Sequence, residues 1–388
     1  KYADKLLATK IFVAGEDPVP VSGKVLTSED FSTLVDSSLD GWLTAGRFTV
    51  DFERALASFV GTRHALFVNS GSSANLIALS GLTSKKLGER ALKPGDEVIV
   101  PNYTMIATPN SVRMFGAKPV FVDVELETLC LDIAKVEAAV TPRTKAVMMV
   151  SANGRYPKAG IDAFEDLCNR RGIILLEDAA QSLGSYYPDG RHVGRAGLIG
   201  SFSFSAPKII STGQGGALIT DSDEVAHRLR RLKDFGRSGG GNDVHDSIGF
   251  NFKFTELQAC VGIEQMKKLP QRVRRKKEIW RRYEDGLRGV PGVQLFAHNL
   301  TTTSPWFIDC LVDQREDLIA HLKAEGIGTR VMYPPINRQK AYQVQGYHPV
   351  SEKVGHCGLW LPSAVQLSNA EIDRVTQAIK NFFYKNNS

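Results

Sequence analysis

The sequence lacks the features of secreted, zinc-binding and membrane-spanning proteins. Its 388 residues include five scattered cysteines, with no CxxC pair and no cysteine–histidine spacing that would hold zinc. An odd number of dispersed cysteines is typical of a reducing compartment. No apolar run approaches the roughly 20 residues of a membrane helix, and the N-terminus has no signal-peptide core or cleavage site. We therefore expect a cytoplasmic protein with no metal site and no membrane association.

A strong charge of one sign is also absent. The chain has 48 Lys+Arg against 42 Asp+Glu, a formal net charge of +6. Much of the excess lies in "RVRRKKEIWRR", residues 272–282. Such a run is either a nucleic-acid patch or a solvated helix face, and the second meaning is the usual one. We expect no nucleic-acid partner, and the mild basic balance favours a small anionic substrate.

Short apolar runs rich in β-branched residues alternate with longer helical patterns from about residue 60. Continuous rather than alternating hydrophobicity indicates strands that are covered on both faces. The pattern therefore predicts an α/β fold with a mostly parallel sheet flanked by helices. The seven predicted strands lie at residues 64–70, 96–102, 118–124, 145–152, 172–179, 199–205 and 215–221.

The pattern changes after the last of these strands. Residues 236–249 are rich in glycine and poor in apolar side chains, which predicts a mobile loop. Residues 251–287 show a helical pattern that Pro270 should break. Strands and helices then alternate again, which predicts a second, smaller α+β domain. We place the large domain at residues 1–288 and the small domain at residues 289–388.

Polar residues follow three of the predicted strands, at the edge where parallel α/β sheets bind ligands. Ser72 and Ser73 begin a helix and form either a phosphate seat or a plain N-cap. Asp178 is either the partner of a protonated ring nitrogen or a helix cap. Lys208 is either solvated or a nucleophile whose amine pKa is lowered by neighbouring aromatic side chains. Together these groups match the phosphate, ring nitrogen and aldehyde of pyridoxal phosphate.

The stretch "SFSFSAPKIISTGQGG", residues 201–216, resembles the lysine motif of the DegT/DnrJ/EryC/StrS sugar aminotransferases. The segments "NSGSSANLIAL", "PNYTMIATPNSV", "EDAAQSLGS", "GFNFKFTELQACVGIEQM" and "GTRVMYPP" also follow the order of that family. The resemblance extends from about residue 19 to the C-terminus. It implies a fold-type-I pyridoxal-phosphate enzyme, which is a homodimer with active sites at the subunit interface.

The resemblance also implies roles for individual residues. Lys208 would form a Schiff base with the cofactor, and Asp178 would pair with the pyridine nitrogen and keep it protonated. Gln181 would lie near the hydroxyl oxygen of the ring. The phosphate would be held by Ser72, Ser73, Ser203 and, from the other subunit, Asn251.

Several positions depart from the usual family pattern. Met105 stands where an aromatic side chain usually stacks on the cofactor, and a thioether covers a ring less rigidly. Gln214 replaces the glutamate of the common "GEGG" turn, and Lys253 stands where many members have arginine. The segment "VSANGR", residues 150–155, replaces one that often carries a histidine, so no second acid or base is evident.

Two branches of the family compete for the reaction. The N-terminal half resembles the 3-dehydratases of nucleotide-linked 4-keto-6-deoxyhexoses. Those enzymes have histidine in place of Lys208, and the iron–sulfur-dependent ones keep cysteines in a loop that has none here. A lysine moves protons and completes transamination, so we favour an aminotransferase.

The central motifs are similar to those of perosamine-synthase-like enzymes. This similarity implies transfer of an amino group from L-glutamate, through pyridoxamine phosphate, to C4 of a nucleoside-diphosphate-linked 4-keto-6-deoxyhexose. A 3-dehydratase is the alternative, and a non-catalytic ligand-binding homologue is the second. The nucleotide, the sugar stereochemistry and C3 against C4 amination stay open, and a role in polysaccharide biosynthesis is inferred from family habit alone.

Arginine forks and tryptophan rings are the side chains expected to bind the diphosphate and the base of such a substrate. For each candidate, the alternative is an ordinary structural role as a core tryptophan or a surface arginine. The candidates are Trp42, Arg47, Arg237, Trp306, Arg330 and Arg338.

Overall fold

The computed structural model describes residue 13 and residues 17–23, 25–239 and 243–385. Most of the N-terminal stretch that was inspected for a signal peptide lies outside these residues, as does the centre of the glycine-rich loop at 240–242. Within the described residues, no helix is both long enough and apolar enough to cross a membrane.

A seven-stranded sheet forms the centre of the molecule, in the order β1-β7-β6-β5-β4-β2-β3. Strand β7 runs antiparallel to both of its neighbours, β1 and β6, and the other pairs are parallel. Each of the seven predicted strands is present, which confirms the α/β fold class. The strands are β1 (His64–Val68), β2 (Glu97–Pro101), β3 (Lys118–Val122), β4 (Thr144–Val150), β5 (Ile174–Asp178), β6 (Ile199–Ser203) and β7 (Gly216–Thr220).

Helices cover both faces of this sheet, which explains why its strands are apolar throughout. Alternate strand residues point to opposite faces. Phe67 therefore belongs to one core cluster, whereas its neighbours Leu66 and Val68 belong to another. The helices are α1 (Ser28–Leu39), α2 (Arg47–Val60), α3 (Gly71–Gly81), α4 (Ala107–Met114), α5 (Ile133–Ala139), α6 (Ile161–Arg171), α7 (Asp223–Leu232) and α8 (Glu256–Leu287).

A second sheet of four antiparallel strands follows α8, in the order β10-β11-β9-β8. Its core cluster also includes Ile279 and Trp280 of α8, so the long helix is shared between the two parts. The domain boundary at residues 288 and 289 therefore stays a prediction. The elements are β8 (Val293–Leu295), β9 (Ile308–Val312), α9 (Arg315–Ala324), β10 (Arg330–Val331), α10 (Pro349–Cys357), β11 (Gly358–Leu361) and α11 (Asn369–Lys385).

The structure of helix α8 differs from two predictions, the break at Pro270 and the solvated face of the basic run. Pro270 is exposed and lies inside one continuous helix instead of breaking it, because packing of the helix on both sides of the proline outweighs the lost hydrogen bond. The basic run is not a fully solvated face either. Arg272 and Lys276 are buried, since carbonyl groups of neighbouring segments accept their hydrogen bonds.

Candidate active site

A cavity of about 280 Å³ opens at the carboxyl edge of the large sheet. It is lined by residues from the ends of β1, β2, β5 and β6 and by a segment of the small sheet. Among the predicted site residues, the cavity brings together Ser72, Met105, Asp178, Gln181, Ser203, Lys208, Trp306 and Arg330. A larger cleft of about 520 Å³ beside α8 contains none of the predicted site residues, so the smaller cavity is the candidate active site.

Asp178 is the last residue of β5 and is 5% exposed. Its Oδ2 accepts hydrogen bonds from Asn75 Nδ2 and Thr108 Oγ1, both at 2.8 Å. Its Oδ1 accepts a hydrogen bond from the backbone N–H of Ala180 at 3.1 Å. These neutral donors stabilise a buried carboxylate without neutralising it. The carboxylate can therefore attract a cationic ring nitrogen.

Sequence reasoning missed Asn75 and Thr108, the two side chains that donate to Asp178, and Ser201, which orients Asn75. Asn75 is a buried amide in the apolar helix α3, and Ser201 Oγ donates to Asn75 Oδ1 at 2.6 Å. That bond directs the Asn75 amide N–H groups toward Asp178. A buried polar side chain on an otherwise apolar helix was the available signal, because such groups need partners.

Lys208 lies in a turn just after β6, with its backbone N–H bonded to the carbonyl of Ser205 at 3.0 Å. Its Nζ lies 3.7 Å from the centre of the Trp306 ring. Desolvation lowers the pKa of the Lys208 amine to about 7, with Asp178 opposing the shift and Arg330 adding to it. A large fraction of this amine is therefore neutral at neutral pH, which a nucleophile requires.

Four serine hydroxyl groups lie near the start of α3, where the sequence predicts a phosphate site, but they are not the four predicted side chains. Ser70 is the N-cap, and its Oγ accepts from the Ser73 N–H at 3.1 Å. Ser70, Ser72, Ser203 and Ser205 line the cavity, whereas Ser73 is not among the described lining residues and instead bonds Ser70 through its hydroxyl at 3.0 Å. Sequence reasoning missed Ser70 and Ser205.

Strand β6 approaches the start of α3 closely, and this approach requires glycine at position 71. A Cβ atom there would lie 2.8 Å from Ser203 Cβ, which is too close for a real contact. The glycine therefore lets Ser203 of β6 lie against the helix N-terminus, where backbone N–H groups favour an anion.

These residues fit pyridoxal phosphate. The cavity offers hydroxyls and a helix N-terminus for a phosphate, a buried carboxylate for a ring nitrogen, and a lysine amine with a lowered pKa for an aldehyde. Gln181 lines the same cavity, and its Oε1 accepts from the Asn153 N–H at 2.7 Å. Met105 lies at the rim and is 45% exposed, as expected for a flexible cover.

Several predicted site residues lie elsewhere in the described part of the chain. Arg47 pairs with two aspartates, Arg237 pairs with Asp243 at 3.0 Å, and Arg338 pairs with Glu352 at 2.6 Å. Trp42 is exposed and donates its indole N–H to the Ala45 carbonyl at 3.0 Å. Five of the predicted site residues are therefore absent from the described lining of the cavity, namely Trp42, Arg47, Arg237, Arg338 and Asn251.

Tyr333 is a further cavity residue that sequence reasoning missed, although it lies in the quoted "GTRVMYPP" segment. Desolvation raises the pKa of its hydroxyl to about 12. The hydroxyl therefore stays protonated at neutral pH, and this makes Tyr333 a hydrogen-bond donor rather than a base.

Comparison with known proteins identifies the family of this chain. A sequence profile of the DegT/DnrJ/EryC1/StrS aminotransferase family matches residues 25–380. The lipopolysaccharide biosynthesis protein RfbH of Salmonella typhimurium is 32% identical over 99% of this chain and 96% of its own length. GDP-perosamine synthase of Caulobacter vibrioides is 34% identical over 87% of this chain and 91% of its own.

A solved structure gives the same result for the fold. GDP-4-keto-6-deoxy-D-mannose-3-dehydratase of E. coli, with bound hydrated pyridoxal phosphate, is 25% identical and has a TM-score of 0.86. The similarity covers 93% of this chain and 99% of that one. The architecture is thus the fold-type-I architecture that the motifs predicted, and the chain belongs to the DegT/DnrJ/EryC1/StrS aminotransferase family.

Proposed function

We propose that this protein is a pyridoxal-phosphate enzyme that transfers an amino group from L-glutamate to C4 of a nucleoside-diphosphate-linked 4-keto-6-deoxyhexose. The observation that carries the proposal is that a desolvated Lys208 amine and the Asp178 carboxylate line one cavity. A 3-dehydratase of this family is expected to have histidine at the lysine position. The similarity to a GDP-perosamine synthase supports C4 as the site of amination.

Each group of cavity residues has a separate role in the proposed reaction. Bound pyridoxal phosphate supplies an aldehyde that bonds amines and a protonated ring that accepts an electron pair. Asp178 holds the proton on the ring nitrogen, and the serines at the start of α3 hold the phosphate. Lys208 Nζ accepts the proton from the α-carbon of the amino donor and later returns a proton when the sugar is aminated.

Arg330 is the cation at the mouth of the cavity. It is exposed, lines the cavity beside Tyr333, and lies 5.4 Å from the Trp360 ring centre. A guanidinium in this position suits either the carboxylate of glutamate or the diphosphate of the sugar nucleotide. Because both substrates are anionic and react in turn, we propose that Arg330 serves both.

We also propose that the enzyme is a cytoplasmic homodimer and that each active site is completed by its partner. Asn251 and Trp42 lie on the exposed surface rather than in the cavity of their own chain. A second subunit would bring such residues to the site. The exposed apolar side chains around Trp42 support this proposal, because patches of that kind mark interfaces.

The reaction is tested by incubating the purified protein with ¹⁵N-labelled L-glutamate and a panel of GDP-, UDP-, dTDP- and CDP-linked 4-keto-6-deoxyhexoses. Mass spectrometry should show one ¹⁵N atom in the sugar, with 2-oxoglutarate in equal amount, and NMR should place the nitrogen at C4. Lys208→Ala is the control and should give neither product.

Two other outcomes would overturn the proposal. A sugar that has lost the C3 hydroxyl and gained no nitrogen would identify a dehydratase. A protein that binds a sugar nucleotide but stays colourless with pyridoxal phosphate would identify a non-catalytic homologue.

A further inference from the structure

Asn153 occupies an unusual backbone conformation at the edge of the active site. It follows β4, is 3% exposed, and has φ 54° and ψ 31°, a left-handed conformation that asparagine tolerates better than most residues. It stands in the segment "VSANGR", where sequence reasoning found no acid or base. Its role must therefore be sought in its hydrogen bonds.

The Asn153 side chain pairs with the backbone of the segment that leads into β9. Its Oδ1 accepts from the N–H groups of Trp306 and Phe307, at 3.0 and 2.6 Å. Its Nδ2 donates to the Phe307 carbonyl at 2.8 Å. Its own backbone N–H donates to Gln181 Oε1 at 2.7 Å. One buried amide thus connects the cofactor cavity to the small sheet.

The neighbouring residues hold the same junction. The Trp306 indole N–H donates to the Pro207 carbonyl at 2.8 Å, and the buried Lys276 amine donates to the Trp306 carbonyl. A Cβ at Gly154 would lie 2.1 Å from the Ser304 carbonyl oxygen, so the two backbones are in direct contact. Trp306 is therefore fixed on three sides, with its ring 3.7 Å from Lys208 Nζ.

We infer that Asn153 is a positioning residue that holds the Trp306 ring over the Lys208 amine. The inference rests on the proposed function in one respect, because Lys208 is taken to be the reactive lysine. It adds a residue that touches neither substrate nor cofactor and acts through Trp306. Loss of the Asn153 amide frees the 306–307 backbone, lets the ring move and admits water to Lys208.

The test measures the titration of Lys208 in the full chain loaded with pyridoxamine phosphate, which has no aldehyde and leaves the lysine free. Pulses of acetic anhydride at different pH values, followed by peptide mass spectrometry, report the neutral fraction of each lysine. Asn153→Gly removes the amide while allowing the left-handed backbone. We expect its Lys208 inflection to lie about one pH unit above that of the unsubstituted protein, since solvation favours the charged amine.

A matched control, Asn337→Ala, removes a buried side-chain hydrogen bond of another asparagine, the one from Asn102 Nδ2 to Asn337 Oδ1. Asn337 bonds Asn102 through both its backbone N–H and its Oδ1, at 3.0 and 2.9 Å. Asn337→Ala should lower the melting temperature and leave the Lys208 inflection unchanged. An Asn153→Gly inflection equal to that of the unsubstituted protein, or an equal shift in Asn337→Ala, overturns the inference.

A second variant keeps the inference testable if Asn153→Gly folds poorly. Trp306→Leu removes the ring through which we infer that Asn153 acts. This variant must therefore also raise the pH of the Lys208 inflection. The double variant must shift it no further than Trp306→Leu alone, because effects through one intermediary are not additive. Additive shifts, or no shift in Trp306→Leu, overturn the inference. The labelling needs no turnover, so a failure of the proposed reaction would appear separately, in the sugar assay.

Discussion

Two adjacent carboxylates at the end of β5 have different surroundings, and this contrast assigns their roles. Asp178 faces the cavity, where three donors orient it. Glu177 is also buried, but it accepts hydrogen bonds from Tyr187 and from the backbone N–H groups of Gly194, Ala196 and Gly197. Neighbouring strand residues point to opposite faces. Asp178 is therefore the carboxylate that we propose for the chemistry, whereas Glu177 holds a loop.

We expect Asp178→Asn to lower kcat by at least about 100-fold, because the ring nitrogen loses the charge that keeps it protonated. Glu177→Gln is the matched control, since it changes the adjacent carboxylate in the same way. It should reduce the free energy of unfolding by about 1–3 kcal/mol and change kcat little. Steady-state kinetics and urea unfolding measure the two effects. Equal losses of kcat in both variants would contradict the assignment.

The Lys208 amine makes cofactor capture dependent on pH. Its pKa is lowered to about 7, and only the neutral amine attacks an aldehyde. Mixing the cofactor-free protein with pyridoxal phosphate should produce the yellow absorbance of the bound form at a rate that rises about tenfold per pH unit below pH 7 and levels off above it. Lys208→Arg should stay colourless at every pH. A rate that keeps rising toward pH 10, as for an ordinary lysine, would contradict the desolvation.

At the scale of elements, helix α8 joins the two sheets despite its proline. Its first half packs on α2, where Gly262 lies against the Phe52 ring, since a Cβ there would be 2.1 Å from Phe52 Cε1. Its second half pairs with α11 through Arg282 and Asp373. These contacts on both sides of Pro270 keep the helix continuous. Tertiary packing thus outweighs a local propensity that opposes the helix by about 3 kcal/mol.

We expect Pro270→Ala to stabilise the protein by about 1–3 kcal/mol, because alanine supplies the missing N–H donor and has the best helix propensity. The substitution removes little packing, since Pro270 is exposed. Leu269→Ala, at the fully buried neighbouring position, should instead destabilise by about 2–5 kcal/mol. Urea unfolding distinguishes the two, and a destabilised Pro270→Ala would show that the proline sets a required bend.

At the scale of the whole molecule, α1 and the loop after it expose an apolar patch that bears on subunit association. Leu39 is 81% exposed and Trp42 is 60% exposed, with Val35 and Leu43 beside them in sequence. Monomeric proteins seldom expose so many large apolar side chains together. The patch therefore supports a second subunit as its cover.

From the proposed homodimer we expect Leu39→Glu to be a monomer of half the mass and to have a kcat at least about tenfold lower, since burying an unpaired carboxylate at an interface is unfavourable. Tyr384→Glu, at an exposed aromatic position of α11, is the control and should change neither. Sedimentation velocity gives the mass. A monomeric unsubstituted protein, or an active Leu39→Glu monomer, would contradict the shared-site proposal.

Prediction from sequence succeeded best where the signal was local. Runs of apolar β-branched residues predicted all seven strands of the large sheet, because a strand covered on both faces must be apolar throughout. The residues at strand ends were predicted for a similar reason, since carboxyl ends of parallel strands meet at one edge. The resemblance to the family motifs then gave Asp178 and Lys208 their predicted roles.

Residues that act through contacts distant in sequence were not predicted. Asn75 and Asp178 are 103 positions apart, and Asn153 and Trp306 are 153 apart. The six candidate substrate residues were chosen by side-chain type, and only Trp306 and Arg330 are among the described residues that line the cavity. Side-chain type alone does not separate a ligand-binding arginine from one that is paired with a surface aspartate.

The amino-acid sequence by itself determined the α/β class and the strands of the large sheet, and it predicted Lys208 and Asp178 as the reactive lysine and its carboxylate partner, because these depend on local pattern and on motif order. Only the tertiary structure decided which serines line the cavity, that α8 passes through Pro270, and that burial lowers the pKa of the Lys208 amine. Each of those depends on which distant groups surround a residue, and the free energy of burial is set by that surrounding rather than by the residue itself.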